Sequence, residues 1–276
     1  MPEGHVIHRL AADYAERFAG RPVRVDSPQG KFADTAALLD GQPMTGTEAH
    51  GKHLFLGFPG ALGFPEPLGW VHVHLGLYGK VAFGTGPAPA PVGQIRLRLA
   101  NGEHWAELRG PNTCALRTEQ ERAAVAARLG PDPLRADADP EAAWRRVSTS
   151  RTAVATLLMD QSVIAGVGNA YRAEVLFRHG IAPHRAGRDL GRSEWEACWA
   201  DLVSLMREGV RLGRIDTVRP EHTPEAMGRP PRVDDHGGEV YVYRRAGQSC
   251  LVCEGPVATA PLAARNLFWC PRCQRR

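Results

Sequence analysis

The spacing of apolar positions changes several times along this chain, and each change predicts a different kind of element. From about Glu3 to Ala19, the residues Ile7, Leu10, Ala11, Tyr14 and Phe18 recur at helical spacing and Gly20 suits a C-cap, which predicts a leading helix. The period then falls to two. Leu54, Leu56 and Phe58 alternate with His53, Phe55 and Gly57; Val71, Val73 and Leu75 alternate with His72 and His74; Ile95, Leu97 and Leu99 alternate with Arg96 and Arg98. That alternation predicts half-buried strands of a sandwich or barrel, with GTGPAPAPVG at 84–93 as a Pro/Gly loop between two of them. Near 129–144, LGPDPLRADADPEAAW brings three prolines and several acids, a linker and the entry to helices. Beyond it, ATLLMD (155–160) and AYRAEVLFRHG (170–180) flank the turn QSVIAGVGN. Ser193 to Leu212 reads as a long helix, with Ser193 and Glu196 as a capping box and Gly213 at its end. Residues 214–238, rich in Pro, Gly and charge, read as a mobile loop.

Composition narrows this only a little. The 276 residues suit two or three compact units. A net charge of +4 and a pI of about 8.8 permit a polyanionic partner without requiring one. No apolar run approaches the roughly 20 residues of a membrane span. The start, MPEGHVIHRL, has no apolar stretch of the secretory kind, so a reducing, cytoplasmic setting is expected.

The cysteines change the picture most. Cys250, Cys253, Cys270 and Cys273 form two CxxC pairs separated by 16 residues, a spacing that suits a tetrahedral structural Zn²⁺ site. A disulfide pair is the alternative, and it needs an oxidising compartment. Cys114 and Cys198 lack a knuckle partner and read as small buried residues. From Val240 onward six arginines face one acid, Glu254, giving +5; four thiolates and one Zn²⁺ add −2 and leave about +3. A metal-stapled, arginine-rich hairpin suits a phosphate backbone. In GVGN (166–169), Gly168 and Asn169 open a helix whose backbone N–H groups can grip phosphate; a simple helix–helix turn is the alternative. Pro2 follows the initiator methionine directly, and removal of Met1 would expose a secondary amine able to form a Schiff base, with Glu3 beside it to shuttle protons. Lys52 stands at the mouth of an apolar strand, where most lysines are solvated edge charges. His72 and His74 share one strand face, which admits a metal pair or, as the plainer reading, satisfied core or surface histidines.

MPEG, HGKHLFL, HLGLYG, LGPDPL, LLMDQSVIAGVGNAYRAEVLF and YVYRRAGQSC…RNLFWCPRC follow one another in this order. Over essentially its whole length the chain resembles the formamidopyrimidine-DNA glycosylase/endonuclease VIII family of base-excision repair enzymes, nearest the endonuclease VIII-like branch found in actinobacteria. The resemblance implies an α+β multidomain fold. An N-terminal β-sandwich with a leading helix (1–130) would be followed by a helical helix–two-turns–helix domain with a mobile loop (131–238) and a four-cysteine zinc finger (239–276), with DNA in the cleft between sandwich and helices. It also implies roles. The Pro2 amine would attack C1′ of a damaged nucleotide flipped out of the duplex; Glu3 would protonate the sugar oxygen or relay protons; Lys52 would contact phosphate and assist. Gly168, Asn169 and Arg265 would hold the phosphate beside the lesion, Arg265 counting also with the catalytic group, and Leu77 and Tyr78 would fill the hole left by the flipped base. The expected activity is a bifunctional DNA glycosylase/AP lyase acting on oxidised bases, pyrimidines favoured, with strand cleavage by β,δ-elimination. Its only cofactor would be one structural Zn²⁺. Its partner would be damaged DNA and not a membrane, and it would act as a nucleoid-associated monomer. An oxidised-purine glycosylase and a non-catalytic damaged-DNA-binding paralogue remain as alternatives. Two departures stand out: Val6 occupies the place of a second glutamate, and residues 216–238 give no clean match to the loop that caps oxidised guanine.

Overall fold

The computed structural model of the chain describes residues 2–59, 68–234 and 237–275, so Met1 and its removal lie outside the described residues. Its contacts divide the chain into two compact units, Met1–Arg128 and Leu129–Arg276.

The first unit opens with α1, Gly4–Phe18, which buries the helical stripe Ile7, Leu10, Ala11, Tyr14 and Phe18. After it come β1 (Arg24–Asp26), α2 (Ala33–Leu39), β2 (Gly46–His50), β3 (His53–Pro59), β4 (Leu68–His74), β5 (Lys80–Thr85), β6 (Ile95–Ala100), β7 (His104–Arg109), β8 (Thr113–Thr118) and α3 (Glu119–Ala126). The strands form two antiparallel four-stranded sheets, ordered β2-β3-β4-β8 and β1-β6-β7-β5. Leu54, Leu56, Phe58, Val71 and Val73 of the first sheet share one core with Leu97, Leu99, Ala106 and Leu108 of the second, and the stripe of α1 joins it. Burying this continuous apolar surface is the main drive for the unit.

The strands are less half-buried than their alternation predicts. Phe55 and His72, on the outer face of β3 and β4, are buried as well. Helix α3 explains this: its Val125 packs with Phe55 and Trp70, its Glu119 accepts from the Trp70 indole at 2.7 Å, and Arg122 reaches Glu48 at 2.7 Å. On β6 the polar position Arg98 is buried because it pairs with Glu107 of β7, which also takes Arg109.

The second unit holds α4 (Pro140–Val147), α5 (Val154–Leu157), α6 (Asn169–Arg178), α7 (Arg192–Leu212), the short α8 (Pro224–Met227), and the hairpin β9 (Ala258–Leu262) and β10 (Arg265–Trp269). Helix α7 ends at Gly213 in the left-handed conformation as expected, but its start differs. Gly191 is the cap, and Glu194 accepts from its N–H at 2.8 Å while a forked Arg185 holds the same carboxylate at 2.9 Å. That anchor moves the start two residues ahead of the expected Ser193 box. The helices and the hairpin share one core: Tyr171, Leu176, Trp195, Leu202 and Met206 cluster with Leu267, Phe268, Cys250 and Cys270. Residues 214–234, read from sequence as a loop, carry α8 and several anchors: Thr217 is fully buried, and Arg229 pairs with Glu239 at 2.7 Å. Among the described residues no helix is long and apolar enough to cross a membrane.

Candidate active site and phosphate grip

One end of the first sheet gathers most of the residues singled out above. β2 and β3 are joined by a two-residue turn, since His50 pairs with His53. Gly51 has φ 58°, the positive value that a type II′ hairpin needs at its first central position, and Lys52 takes the second, half-buried. Next to it, His53 pairs with His74, and the N–H of Asn112 donates to the His74 carbonyl at 2.8 Å. The loop Leu75–Gly79 leaves from the same end.

That loop is closed tightly. The Gly79 N–H donates to the Leu75 carbonyl at 3.0 Å, and a Cβ on Gly79 would lie 2.3 Å from that oxygen. Leu75 is buried while Leu77 is 47% and Tyr78 85% exposed. Two large apolar side chains thus project from a short, braced loop.

The start of α1 reaches the same end. Thr47 of β2 donates its hydroxyl to the Ala11 carbonyl at 2.8 Å, and Ala19 bridges Met44, so α1 runs opposite to β2. From Ala11 back to Gly4 the helix covers about 10 Å. The same distance along β2 leads from Thr47 to about His50. Pro2, half-buried, and Glu3, 2% exposed and N-capping α1 through its backbone, therefore lie at the Lys52 end of the sheet. Val6 packs partly buried against the sandwich core, so this position gives the site an apolar surface in place of a second carboxylate. Burial lowers the pKa of His5 to about 4, so this neighbour of Glu3 is neutral at pH 7.

Histidines floor this end. His53 Nδ1 lies 2.8 Å from His72 Nε2, the His53 ring packs 5.0 Å from that of His74, and His72 stacks on Phe55 at 4.7 Å. Burial, together with neighbouring histidines and the cations Lys52, Arg117 and Arg128, keeps the three imidazoles neutral, with His53 near 3 and His72 near 4. Among the described residues the four cysteines are the one group of three or more candidate ligands close enough to share a metal; His72 is buried and His74 half-buried, and the Nδ1 atom of each has no hydrogen-bond partner.

The second unit carries the other candidates. Gly168 caps α6, and Asn169 is its first residue. The Asn169 amide donates to the backbone carbonyl of Asn266 at 2.9 Å, which ties it to the residue that follows Arg265. Arg265 itself is exposed at the start of β10. Sequence reasoning missed Arg172, fully buried, whose guanidinium forks onto Asn169 Oδ1 at 2.5 and 3.1 Å. It also missed Glu174, whose carboxylate accepts from the amides of Tyr241, Val242 and Tyr243 at 2.7–2.8 Å. Their positions three and five residues after Asn169 were the available signal, because polar residues on a helix otherwise apolar all round need partners.

The four cysteine Sγ atoms lie within 4.8 Å of one another, with Cys250–Cys273 at 3.8 Å and Cys253–Cys270 at 3.4 Å. A tetrahedron of Zn–S bonds of about 2.3 Å sets sulfurs about 3.8 Å apart, so the residues fit one Zn²⁺. All four residues would ligate it, and the ion would serve structure only, since a closed four-thiolate shell leaves no position for substrate.

Three family models match the chain: the formamidopyrimidine-DNA glycosylase N-terminal domain over residues 1–110, the H2TH domain of the same glycosylase over 129–220, and the zinc finger found in FPG and IleRS over 247–276. The chain is 52% identical over 278 residues to Endonuclease 8 1 of Mycobacterium tuberculosis, with 99% of this chain and 100% of that protein covered. It is 28% identical to the formamidopyrimidine-DNA glycosylase of Desulfitobacterium hafniense, covering 98% and 94%. Among solved structures, the Lactococcus lactis Fpg bound to DNA with an abasic site has the same fold, with a TM-score of 0.78 at 19% identity over 99% of this chain and 100% of that one. The chain belongs to the formamidopyrimidine-DNA glycosylase/endonuclease VIII family of base-excision repair, DNA glycosylases that also carry AP lyase activity.

Proposed function

We propose that this chain removes oxidised bases from DNA, pyrimidines before purines, and cleaves the strand by β,δ-elimination, with the Pro2 amine as nucleophile. The observation that carries the reading is the common address of Pro2, Glu3, Lys52, Leu77 and Tyr78 at one end of the sandwich. The preference for pyrimidines is supported by the 52% identity to a protein named Endonuclease 8 1, against 28% to formamidopyrimidine-DNA glycosylases.

The chemistry follows from the groups. The free amine of Pro2 attacks C1′ of the extruded nucleotide; the base leaves with the bonding electron pair and is protonated. Glu3 protonates the sugar oxygen as the ring opens to an iminium at C1′, and the amine proton is lost to water. The iminium acidifies C2′–H, whose removal expels the 3′ phosphate; a second elimination expels the 5′ phosphate. Lys52 balances phosphate charge at this end. Tyr78 and Leu77 enter the stack and offset part of the few kcal/mol that base extrusion costs. Gly168, Asn169 and Arg265 hold a phosphate without reading sequence. The protein acts as a monomer on nucleoid DNA.

Borohydride trapping tests this directly, on duplexes carrying thymine glycol, oxidised guanine, uracil or an abasic site. The expected result is a cross-link mapped to residue 2, strongest with thymine glycol among the bases. Pro2→Gly is expected to lose most strand cleavage while keeping DNA affinity. Absence of any cross-link from folded protein lacking Met1 would leave a damaged-DNA binder; equal loss of cleavage and affinity in Pro2→Gly would remove the nucleophile assignment.

A further inference from the structure

We propose that Arg172 is a positioning residue for the phosphate grip, acting through the side chain of Asn169. The proposal rests on the reading of Asn169 and Arg265 as phosphate holders. Its basis is the geometry of one amide.

Asn169 is 6% exposed, and both ends of its side chain are engaged. Its Oδ1 accepts from Arg172 Nη2 at 2.5 Å and Nε at 3.1 Å. Its Nδ2 donates to the Asn266 carbonyl at 2.9 Å. A guanidinium only donates and a backbone carbonyl only accepts, so the two neighbours together allow one orientation of the amide. The opposite orientation would set an NH₂ against the arginine and an oxygen against a carbonyl.

That orientation has two effects. It leaves one N–H of Nδ2 for an outside acceptor at the start of α6, where the helix dipole already favours an anion. It also pins the backbone of Asn266, one residue after Arg265, so the arginine starts from a strand fixed to the helix. Arg172 is itself held, since Nη1 donates to the Ala155 carbonyl at 3.2 Å and the side chain is fully buried. Burying a guanidinium is costly unless its donors are used. Lysine would keep the charge and lose the planar fork.

The test is a double-mutant cycle on the full chain with Arg172→Lys, Asn169→Ala and both together. It reads Kd and its salt dependence on a duplex carrying a stable abasic analogue, with zinc content as the folding check. Removing a charge-assisted hydrogen bond predicts a loss of affinity of roughly ten-fold for Arg172→Lys. The slope of log K against log salt should fall by about one phosphate contact in each single variant. The double variant should bind no more weakly than the weaker single, because both act through one amide. Single-turnover cleavage at saturating DNA should change much less than Kd. Unchanged affinity in zinc-loaded Arg172→Lys, or additive losses in the double variant, overturns the proposal. If Asn169→Ala alone leaves affinity and slope unchanged, the phosphate reading fails first, and the positioning role with it. Should the buried lysine prevent folding, Arg172→Gln, which keeps one amide donor and carries no charge, enters the same cycle with the same expectations.

Discussion

Ala263 and Ala264 turn the finger hairpin with φ of 50° and 58°, both in the left-handed region. A two-residue hairpin of this kind needs positive φ at both positions, which is why Asn-Gly is its usual sequence. Each alanine there costs roughly 1–2 kcal/mol against a right-handed conformation. Glycine at the second position removes that cost and gives back part of it as chain entropy. Ala264→Gly is therefore expected to stabilise the second unit by about 1 kcal/mol, read as a higher urea midpoint with zinc bound. No gain would mean that the hairpin is held so firmly by β9–β10 pairing that its turn has no say. Neither alanine stands out in the sequence, because nothing in an apolar or charge pattern marks a strained turn. Arg265, the next residue, was legible only through the family motif RNLFWCPRC that it opens.

At the scale of elements, the histidine floor of β3 and β4 makes the sandwich sensitive to mild acid. Unfolded histidines take up a proton near pH 6.5. In the fold, His53 does so near 3 and His72 and His5 near 4, mainly because burial disfavours the imidazolium. Between those values the unfolded chain binds more protons, so stability rises with pH there and is lost as pH falls from about 6.5 towards 4. Around the cluster stand His50, engaged by Glu48 at 2.9 Å, and the cations Lys52, Arg117 and Arg128. Carboxylates with lowered pKa, such as Glu107 and Asp201, act only at lower pH. Urea midpoints at pH 7, 6 and 5 should fall in that order, and His72→Phe, which can still stack on Phe55, should flatten the fall; an unchanged slope would move the sensitivity elsewhere. The period of two located these strands and their inner faces. It did not foretell that the outer face is buried too, because that depends on α3 folding back over β4, a contact between distant residues that no local pattern encodes.

For the whole molecule, zinc is the staple of the second unit, and its loss should not stop at the finger. Leu267, Phe268, Cys250 and Cys270 belong to the same core as α6 and α7. Glu174 and Gln274 add hydrogen bonds from helix to finger and back, Gln274 donating to the Ile181 carbonyl at 3.0 Å. Chelation or Cys270→Ser is expected to abolish DNA binding and to raise hydrogen exchange at the amides of 241–243, with α6 following. The amides of β3 and β4 should stay protected; equal loss of protection in both units would contradict this. The four-cysteine spacing announced the metal on chemistry alone. The proposed reacting end rests on a different kind of signal: Pro2, Lys52, Leu77 and Tyr78 are individually ordinary and were named through family motifs. Their meeting place follows from the run of α1 against β2 and from strand register, and both are properties of the folded chain.

The turn that carries Lys52 has a consequence for how this protein can vary. With only Gly51 and Lys52 between His50 and His53, the turn length and the register of β3 are the same variable. One residue inserted there would slip β3 by one position and turn Leu54, Leu56 and Phe58 away from the core they fill. The lysine therefore cannot be moved closer to or farther from a substrate by lengthening its loop, as surface loops usually allow. Any drift in the reach of this group has to come from substitution, with insertions and deletions confined to connections whose length the core does not count.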